Sequence, residues 1–299
     1  MDLKIGNTPL VELKNIQKKY GLHARIFAKL ERENAGGSIK DRVALAIIED
    51  AERKGLLTAG GTVVEATSGN TGIGLALVCR EKGYRAVIVM PDSMSVERQA
   101  AMKAYGAALV LTDGRLGMQA AVEKAREIVK NTPNSLLADQ FNNPVCAQAH
   151  FDTTGVEIWS QTSGKVDIFT ACIGTGGTLT GIAKYLKTQN PQIQIVGIEP
   201  KSSPLLTEGR AGAHKIQGIG ANFIPAVLDR SVYQEVLTVT DEEAFALARG
   251  LKTDENISAG ISSGAALAAA ITLAKRAENA GKIIVTVFPD GAERYQSVL

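Results

Sequence analysis

Lys40 is the residue of this 299-residue sequence whose position most suggests covalent chemistry. It follows Gly36, Gly37 and Ser38, and the spacing predicts that it lies in the first turn of a helix that Ser38 caps. A cation is unfavourable at this positive end of a helix dipole. Two interpretations stay open here: Lys40 is a solvated lysine on an amphipathic helix, or its amine forms a Schiff base. A Schiff base requires a binding site for an aldehyde cofactor elsewhere in the chain.

A first glycine-rich segment, TSGNTG at residues 67–72, lies between a predicted strand and a predicted helix. Backbone N–H groups at a helix start, with hydroxyl groups beside them, form a site for an anion. The segment contains no cation, so a small carboxylate or a single phosphate fits it better than a polyphosphate. A plain turn with a Ser or Thr cap explains the segment equally well when it is taken alone.

A second segment, GTGGT at residues 174–178, also connects a predicted strand to a predicted helix. The dinucleotide-binding motif would require glycine at Leu179, and the P-loop would require lysine at Ile182. The segment therefore indicates a cup for one terminal phosphate, formed by glycine amides and by the hydroxyls of Thr175 and Thr178. A third segment, residues 258–264, has the same form, although a serine cap followed by closely packed small residues explains it alone.

The elements around these segments alternate between strand and helix, which indicates parallel sheets covered by helices on both faces. We predict two doubly wound α/β units, with residues 131–146 as an irregular crossing between them and residues 200–232 as a long functional loop. The predicted strands are residues 25–30, 62–66, 85–90, 107–111, 166–171, 193–199, 235–239 and 283–288; the predicted helices are residues 41–54, 73–82, 95–105, 118–129, 147–162, 178–188, 241–253 and 263–280.

The composition is that of an ordinary globular protein, with 45% hydrophobic and 21% charged residues. A net charge of +2 gives no argument for nucleic acid or membrane surfaces as partners. No apolar run is long enough to span a bilayer, and the N-terminus lacks the pattern of a signal peptide. The three scattered cysteines, which have no metal-ligand spacing, indicate reduced thiols in a cytoplasmic protein. The three histidines are isolated, and we expect none of them to be essential.

With these segments placed, the chain resembles the fold-type II family of pyridoxal phosphate enzymes, and within it the cysteine synthases, or O-acetylserine sulfhydrylases. The resemblance runs nearly from end to end and is specific when its motifs are taken together. The matching segments are residues 5–10 (IGNTPL), 37–42 (GSIKDR), 65–72 (EATSGNTG), 102–107 (MKAYGA), 140–141 (QF), 174–178 (GTGGT), 216–220 (IQGIG) and 260–264 (GISSG).

The resemblance implies a role for each candidate residue. Lys40 would form the Schiff base with pyridoxal 5'-phosphate and later act as the base in proton transfer. Gly218 would belong to a loop that closes over the amino acid. The cofactor would be bound by Lys40, Asn70, Gly174, Thr175, Gly176, Gly177, Thr178 and Ser262, and the substrate by Thr67, Ser68, Gly69, Thr71, Gln140 and Gly218; no metal is expected.

The resemblance also implies the reaction, which is synthesis of L-cysteine from O-acetyl-L-serine and sulfide by β-replacement through an α-aminoacrylate. Ser262, facing the pyridine nitrogen, would leave the ring largely neutral and favour β-replacement over racemisation or transamination. The implied domains are residues 36–145, which carry the carboxylate-binding loop, and residues 11–35 with 146–299, which carry the phosphate cup. A homodimer is also implied, and the C-terminal tail of a serine acetyltransferase is a possible partner.

Related activities stay open. Cystathionine β-synthase has the same chemistry, but residues 217–223 look closer to the sulfide-using group. An O-phosphoserine sulfhydrylase would need an extra cation near the substrate loop, for which Arg210 and Lys215 are the candidates in sequence. A non-catalytic binding module for the acetyltransferase could have lost Lys40, and a dehydrogenase is disfavoured by Leu179. Residues 145–147, Val156 and residues 290–292 depart from the family pattern, which leaves the dimer edge and the fine substrate preference open.

Overall fold

The computed structural model describes residues 3–94 and 96–299. Contacts between Cα atoms divide it into two units. Unit 1 comprises Ser38–Val145 with the N-terminal residues through Ile5, and unit 2 comprises Gly6–Gly37 with Cys146–Leu299. The assignment of residues 36–145, and of residues 11–35 with 146–299, as functional domains stays a prediction.

The described elements alternate along most of the chain, as the sequence predicts. The strands are Leu10–Glu12 (β1), Arg25–Leu30 (β2), Thr62–Ala66 (β3), Arg85–Pro91 (β4), Ala108–Thr112 (β5), Ser135–Leu137 (β6), Ile168–Cys172 (β7), Gln194–Pro200 (β8), Glu235–Val239 (β9) and Ile283–Phe288 (β10). The α-helices are Lys14–Lys19 (α1), Lys40–Arg53 (α2), Asn70–Lys82 (α3), Val96–Ala104 (α4), Gly117–Asn131 (α5), Val145–Ala149 (α6), Val156–Gln161 (α7), Gly177–Gln189 (α8), Leu205–Glu208 (α9), Asp241–Glu255 (α10) and Ile261–Ala274 (α11).

Unit 1 contains a parallel four-stranded sheet in the order β5-β4-β3-β6. Val64 of β3 and Val89 of β4 pack with Ala121 and Ala125 of α5 in a fully buried cluster. Strand β6 was not predicted, because it has three residues and lies in a polar segment that the sequence suggested to be irregular. It pairs with β3, and Ser135 lies opposite Thr62. This register fixes the position of residues 138–140, which follow the strand.

Unit 2 contains a six-stranded sheet in the order β1-β2-β10-β7-β8-β9, in which β1 runs antiparallel to β2 and the other neighbouring pairs are parallel. Strand β1 and helix α1 were not predicted, since both are short. Helix α11 is apolar on nearly every side and almost entirely buried in the core of this unit. The predicted α/β fold with two sheets is confirmed.

Several helices begin or end one to three residues from their predicted bounds, as α3 does at Asn70, and two helices differ more. The predicted helix 147–162 consists of α6, a π-helical turn at His150–Gly155, and α7. In this turn the Thr153 hydroxyl donates to the Ala149 carbonyl at 2.6 Å, and such back-bonding competes with regular helix geometry. The predicted helix 263–280 begins at Ile261 and ends at Ala274. The predicted start of a helix at residue 95 lies outside the described residues, and α4 is described from Val96.

Candidate active site

Helix α2 begins at Lys40 itself, whose side chain is half-buried. Ile39, the residue directly before the helix, has no side-chain cap of its own. The buried Ser38 hydroxyl accepts a hydrogen bond from the Lys40 backbone N–H at 3.2 Å, so Ser38 satisfies the first N–H group of α2 as predicted. A Cβ atom at Gly74 of α3 would lie 3.1 Å from the Lys40 carbonyl oxygen, so the two helices approach closely here. The start of α2 is therefore held by short-range packing within unit 1.

Residues 67–72 connect β3 to α3 and form the N-terminus of that helix. Gly69 is the N-cap residue, with extended backbone and no side-chain cap, and the helix begins at Asn70. The Gly69 N–H donates to the Thr67 hydroxyl at 3.2 Å, which shapes the turn. Because no side chain of the N-cap residue covers the helix start, its N–H groups are suited to an anion such as a carboxylate.

Gln140 lies beside this turn although it is distant in sequence. The Thr71 hydroxyl donates to the Gln140 side-chain oxygen at 2.6 Å, and both side chains are buried. The structure thus brings together two predicted substrate-binding residues from different segments of unit 1. Residues 138–140 follow β6, so the unpredicted strand is the element that places Gln140.

Arg98 of α4 also contacts this turn, since its guanidinium donates to the Ser68 carbonyl oxygen at 3.3 Å. The sequence did not identify this cation, because the rest of α3 and strand β4 separate residues 67–72 from the helix of Arg98. The cations proposed from sequence, Arg210 and Lys215, belong to unit 2. Arg210 pairs on the surface with Glu208, and both side chains are more than half exposed.

Glu65 is a second residue of this region that the sequence analysis did not single out. Its carboxylate accepts the Asp139 backbone N–H at 2.8 Å and faces the Gln140 backbone N–H at 3.5 Å. Desolvation raises the pKa of Glu65 from 4.5 to about 7, against the lowering effect of these donors. Glu65 lies within the short strand β3, and nothing in its local sequence indicates that its side chain is buried against another segment.

The segment 174–178 forms a compact cup at the start of α8 in unit 2. Gly176 is the N-cap residue and has a φ of +84°, a conformation that favours glycine. The Gly177 N–H faces the Thr175 hydroxyl at 3.4 Å. A Cβ atom at Gly176 would lie 2.6 Å from Leu228 Cβ, and one at Gly177 would lie 3.1 Å from the Cys146 carbonyl oxygen. The cup therefore requires glycine at Gly176 and leaves little room for a side chain at Gly177.

His150 touches the side of this cup, and the expectation that no histidine is essential stays a prediction. Its Nε2 lies 3.3 Å from the Thr178 hydroxyl, and its Nδ1 lies 2.9 Å from the Thr154 hydroxyl. The side chain is almost fully buried. No local motif surrounds His150, so only the packing of the π-helical turn against α8 identifies it.

The loop containing Gly218 lies directly on the cup. A Cβ atom at Gly174 would lie 2.3 Å from the Gly218 carbonyl oxygen. The Gly220 N–H donates to the Ile173 carbonyl at 3.0 Å, and the Gly220 carbonyl accepts from His214 Nε2 at 3.0 Å. The structure thus places Gly218 beside Gly174, within one unit.

Ser262 lies in the first turn of α11 rather than in a loop before the helix, which corrects the predicted start at residue 263. Its side chain is buried, and the Cys172 thiol at the end of β7 donates to its carbonyl oxygen at 3.4 Å. Desolvation raises the pKa of the Cys172 thiol to about 12, so this thiol stays protonated near neutral pH. Ser262 therefore lies at a helix N-terminus, four residues beyond Ser258, the first serine of the third glycine-rich segment.

The residues present fit a phosphate-bearing aldehyde. The cup of unit 2 offers backbone N–H groups at a helix N-terminus, and Lys40 of unit 1 offers an amine. Among the described residues, no group of three or more His, Cys, Asp or Glu side chains could hold a metal ion. In that same part of the chain, no helix has both the length and the apolar character that a membrane crossing needs.

Comparison with known families agrees with this donor set. Residues 1–290 match the family described as pyridoxal-phosphate dependent enzyme. The cysteine synthase of Staphylococcus aureus strain Mu50 is 50% identical over 294 residues, which cover 98% of this chain and 94% of that protein. The relationship therefore includes both units.

Solved structures show the same fold. Cysteine synthase (OASS) from Entamoeba histolytica aligns with a TM-score of 0.95 and 42% identity, over 99% of this chain and 88% of that chain. A hydrogen sulfide-producing enzyme from Fusobacterium nucleatum aligns with a TM-score of 0.92 and 47% identity, over 98% of this chain and 97% of that chain. Both structures therefore share the fold over nearly the whole of this chain.

Proposed function

Because the chain belongs to the family of pyridoxal-phosphate dependent enzymes, we propose that it synthesises L-cysteine from O-acetyl-L-serine and sulfide by β-replacement. The observation that carries this proposal is the 50% identity to a cysteine synthase over 98% of the chain. The two glycine-rich N-termini, at α3 and α8, and the lysine at the start of α2 would supply the groups that the reaction needs.

Pyridoxal phosphate, when bound, supplies an electron-withdrawing ring that acidifies the Cα–H of an attached amino acid. Lys40 would hold the aldehyde carbon through its amine, and residues 174–178 would hold the phosphate against the α8 dipole. Asn70 would hydrogen-bond the ring hydroxyl, and Ser262 would hydrogen-bond the pyridine nitrogen. Each assignment rests on residue chemistry and on the local positions described above.

Residues 67–71 and Gln140 would bind the carboxylate of the amino acid and orient its Cα–H toward Lys40. The N-terminus of α3 favours an anion, and the Thr71–Gln140 hydrogen bond holds the two segments together. Lys40, once its amine is free, would remove the Cα proton and later return one to the same carbon. Gly218, beside Gly174, would cover the amino acid and exclude water from the departure of acetate.

No residue described above favours a different activated serine or sulfur donor. Arg98 lies at the carboxylate-binding turn, but its hydrogen bond to the Ser68 carbonyl gives it a role in holding that turn. Homodimerisation, a cytoplasmic location and docking of a serine acetyltransferase tail are further proposals. They rest on resemblance to the family, and on scattered free cysteines for the location.

Kinetic assays of the purified holoenzyme test the proposal. We expect cysteine formation from O-acetylserine and sulfide to exceed, at equal concentrations, the use of O-phosphoserine with sulfide and of serine with homocysteine. A higher specificity constant for either of the other pairs would reassign the substrate while leaving the cofactor chemistry in place.

A further inference from the structure

Glu65 is a buried carboxylate that the reaction outlined above does not use, and it lies between the two segments assigned to the substrate. It belongs to β3, two residues before Thr67 begins the turn of residues 67–72. Its two carboxylate oxygens face the N–H groups of Asp139 and Gln140, at 2.8 and 3.5 Å. One carboxylate is thus linked to both segments, by the chain on one side and by hydrogen bonds on the other.

Gln140 is held from two directions as a result. Its backbone N–H faces Glu65, and its side-chain oxygen accepts from the Thr71 hydroxyl. Glu65 therefore holds the backbone of Gln140, and Thr71 orients its side chain. Both contacts lie next to the site proposed for the substrate carboxylate.

The surroundings of Glu65 make its charge sensitive to an added anion. Asp139 carries the charged side chain beside it and disfavours ionisation, as desolvation does. On the neighbouring strand β4, the residue paired with Glu65 is the apolar Ile88. A carboxylate bound against Gln140 adds another negative charge about one side-chain length away, where the effective dielectric constant is far below that of water.

We propose that Glu65 is a positioning residue of the substrate carboxylate site and that it takes up a proton from solvent when a substrate carboxylate binds there. This inference rests on the proposed role of Gln140. Because the pKa of Glu65 already lies at about 7, a second anion nearby shifts it further upward. Binding then becomes weaker as the pH rises, because the ionised carboxyl must first be protonated or must repel the ligand.

The test uses a probe that cannot react. The probe is 3-acetoxypropanoate, which has the carboxylate and acetyl ester of O-acetylserine but no amine, so its own charge is constant across the range studied. Its Kd for the holoenzyme is measured from the cofactor's absorbance between about pH 6 and pH 8.5. We expect the wild-type Kd to rise about tenfold over this range, and the Kd of Glu65→Gln to stay constant within about twofold.

A matched control separates this effect from the loss of any buried carboxylate. Glu199 of unit 2 is also buried and accepts two backbone N–H groups, from Leu206 at 2.8 Å and Thr207 at 3.0 Å. Glu199→Gln is expected to keep the wild-type pH dependence. If Glu65→Gln does not fold, calorimetry of probe binding to the wild-type enzyme in two buffers of different ionisation enthalpy measures the proton uptake directly, and zero uptake near pH 8 contradicts the proposal.

Gln140→Ala distinguishes failure of the inference from failure of the proposed site. If this variant weakens probe binding while the wild-type Kd is independent of pH, the substrate site is right and the role of Glu65 is wrong. If Gln140→Ala binds the probe as the wild type does, the assignment of Gln140 to the substrate is wrong, and the inference fails with it.

Discussion

We expect the substitution Glu65→Gln to change how the free energy of unfolding depends on pH, even when no ligand is bound. Burial raises the pKa of Glu65 from 4.5 to about 7 in the folded protein, whereas in the unfolded chain the group titrates near its ordinary value. Between these two values the folded protein binds a proton that the unfolded chain has lost. Stability therefore falls as the pH rises through this window and is constant again above it.

The size of the effect follows from the shift. One pKa unit corresponds to about 1.4 kcal/mol, so the change from 4.5 to about 7 corresponds to about 3.5 kcal/mol in total. Most of it, about 2.5 kcal/mol, falls between about pH 5 and pH 8. Glutamine has nearly the same shape and no charge at either pH, so Glu65→Gln removes this contribution. It also loses one acceptor, at a cost of about 1 kcal/mol that does not change with pH.

Urea unfolding of the apoprotein, followed by circular dichroism at about pH 5 and pH 8, measures the difference between wild type and variant at each pH. We expect the variant to gain about 2.5 kcal/mol relative to wild type on going from the lower to the higher pH. Glu199→Gln is the control, because it retains Glu65. Its unfolding free energy should keep the pH dependence that Glu65 contributes in the wild type. Parallel pH profiles for the wild type and Glu65→Gln would refute the reasoning.

Three further predictions concern the cofactor site. Gly176→Ala places a methyl group 2.6 Å from Leu228 Cβ, so we expect it to lower the affinity for pyridoxal phosphate at least about tenfold in a fluorescence titration of the apoprotein. Gly209 has a similar φ but open space around it, so Gly209→Ala should leave this affinity unchanged. Lys40→Ala should abolish both the visible band of the bound cofactor and cysteine formation, and retention of either would contradict its role. Ser262→Asp should slow β-replacement relative to racemisation and transamination, as measured by product analysis. A variant that is as fast and as selective as the wild type would contradict the claim that a neutral pyridine ring favours β-replacement.

Much of the fold could be predicted from the sequence because long apolar strands and amphipathic helices carry strong periodic signals. Strands such as β4 and β10, and helix α10 with its Thr240 and Glu243 capping box, lie close to their predicted bounds. Strands β1 and β6 have three residues each, and such short segments show no period. Their positions are fixed by pairing with β2 and β3, which is a tertiary effect.

The candidate site divides in the same way. Glycine-rich turns at helix starts could be identified locally, since the backbone conformation that Gly176 adopts depends on residue type. Glu65, Arg98 and His150 could not, because each has an ordinary local sequence and reaches the site through packing between elements. The start of α11 was placed two residues late because serine is a common N-cap residue, whereas the observed N-cap is Gly260.

The visible absorption spectrum of the purified protein tests the central claim most directly. With pyridoxal phosphate bound, addition of O-acetylserine should shift the cofactor band, and subsequent addition of sulfide should restore it with formation of one cysteine per site. A band that O-acetylserine leaves unchanged would contradict the proposed substrate. The lack of any band after addition of pyridoxal phosphate would contradict the role of Lys40 and the function built on it.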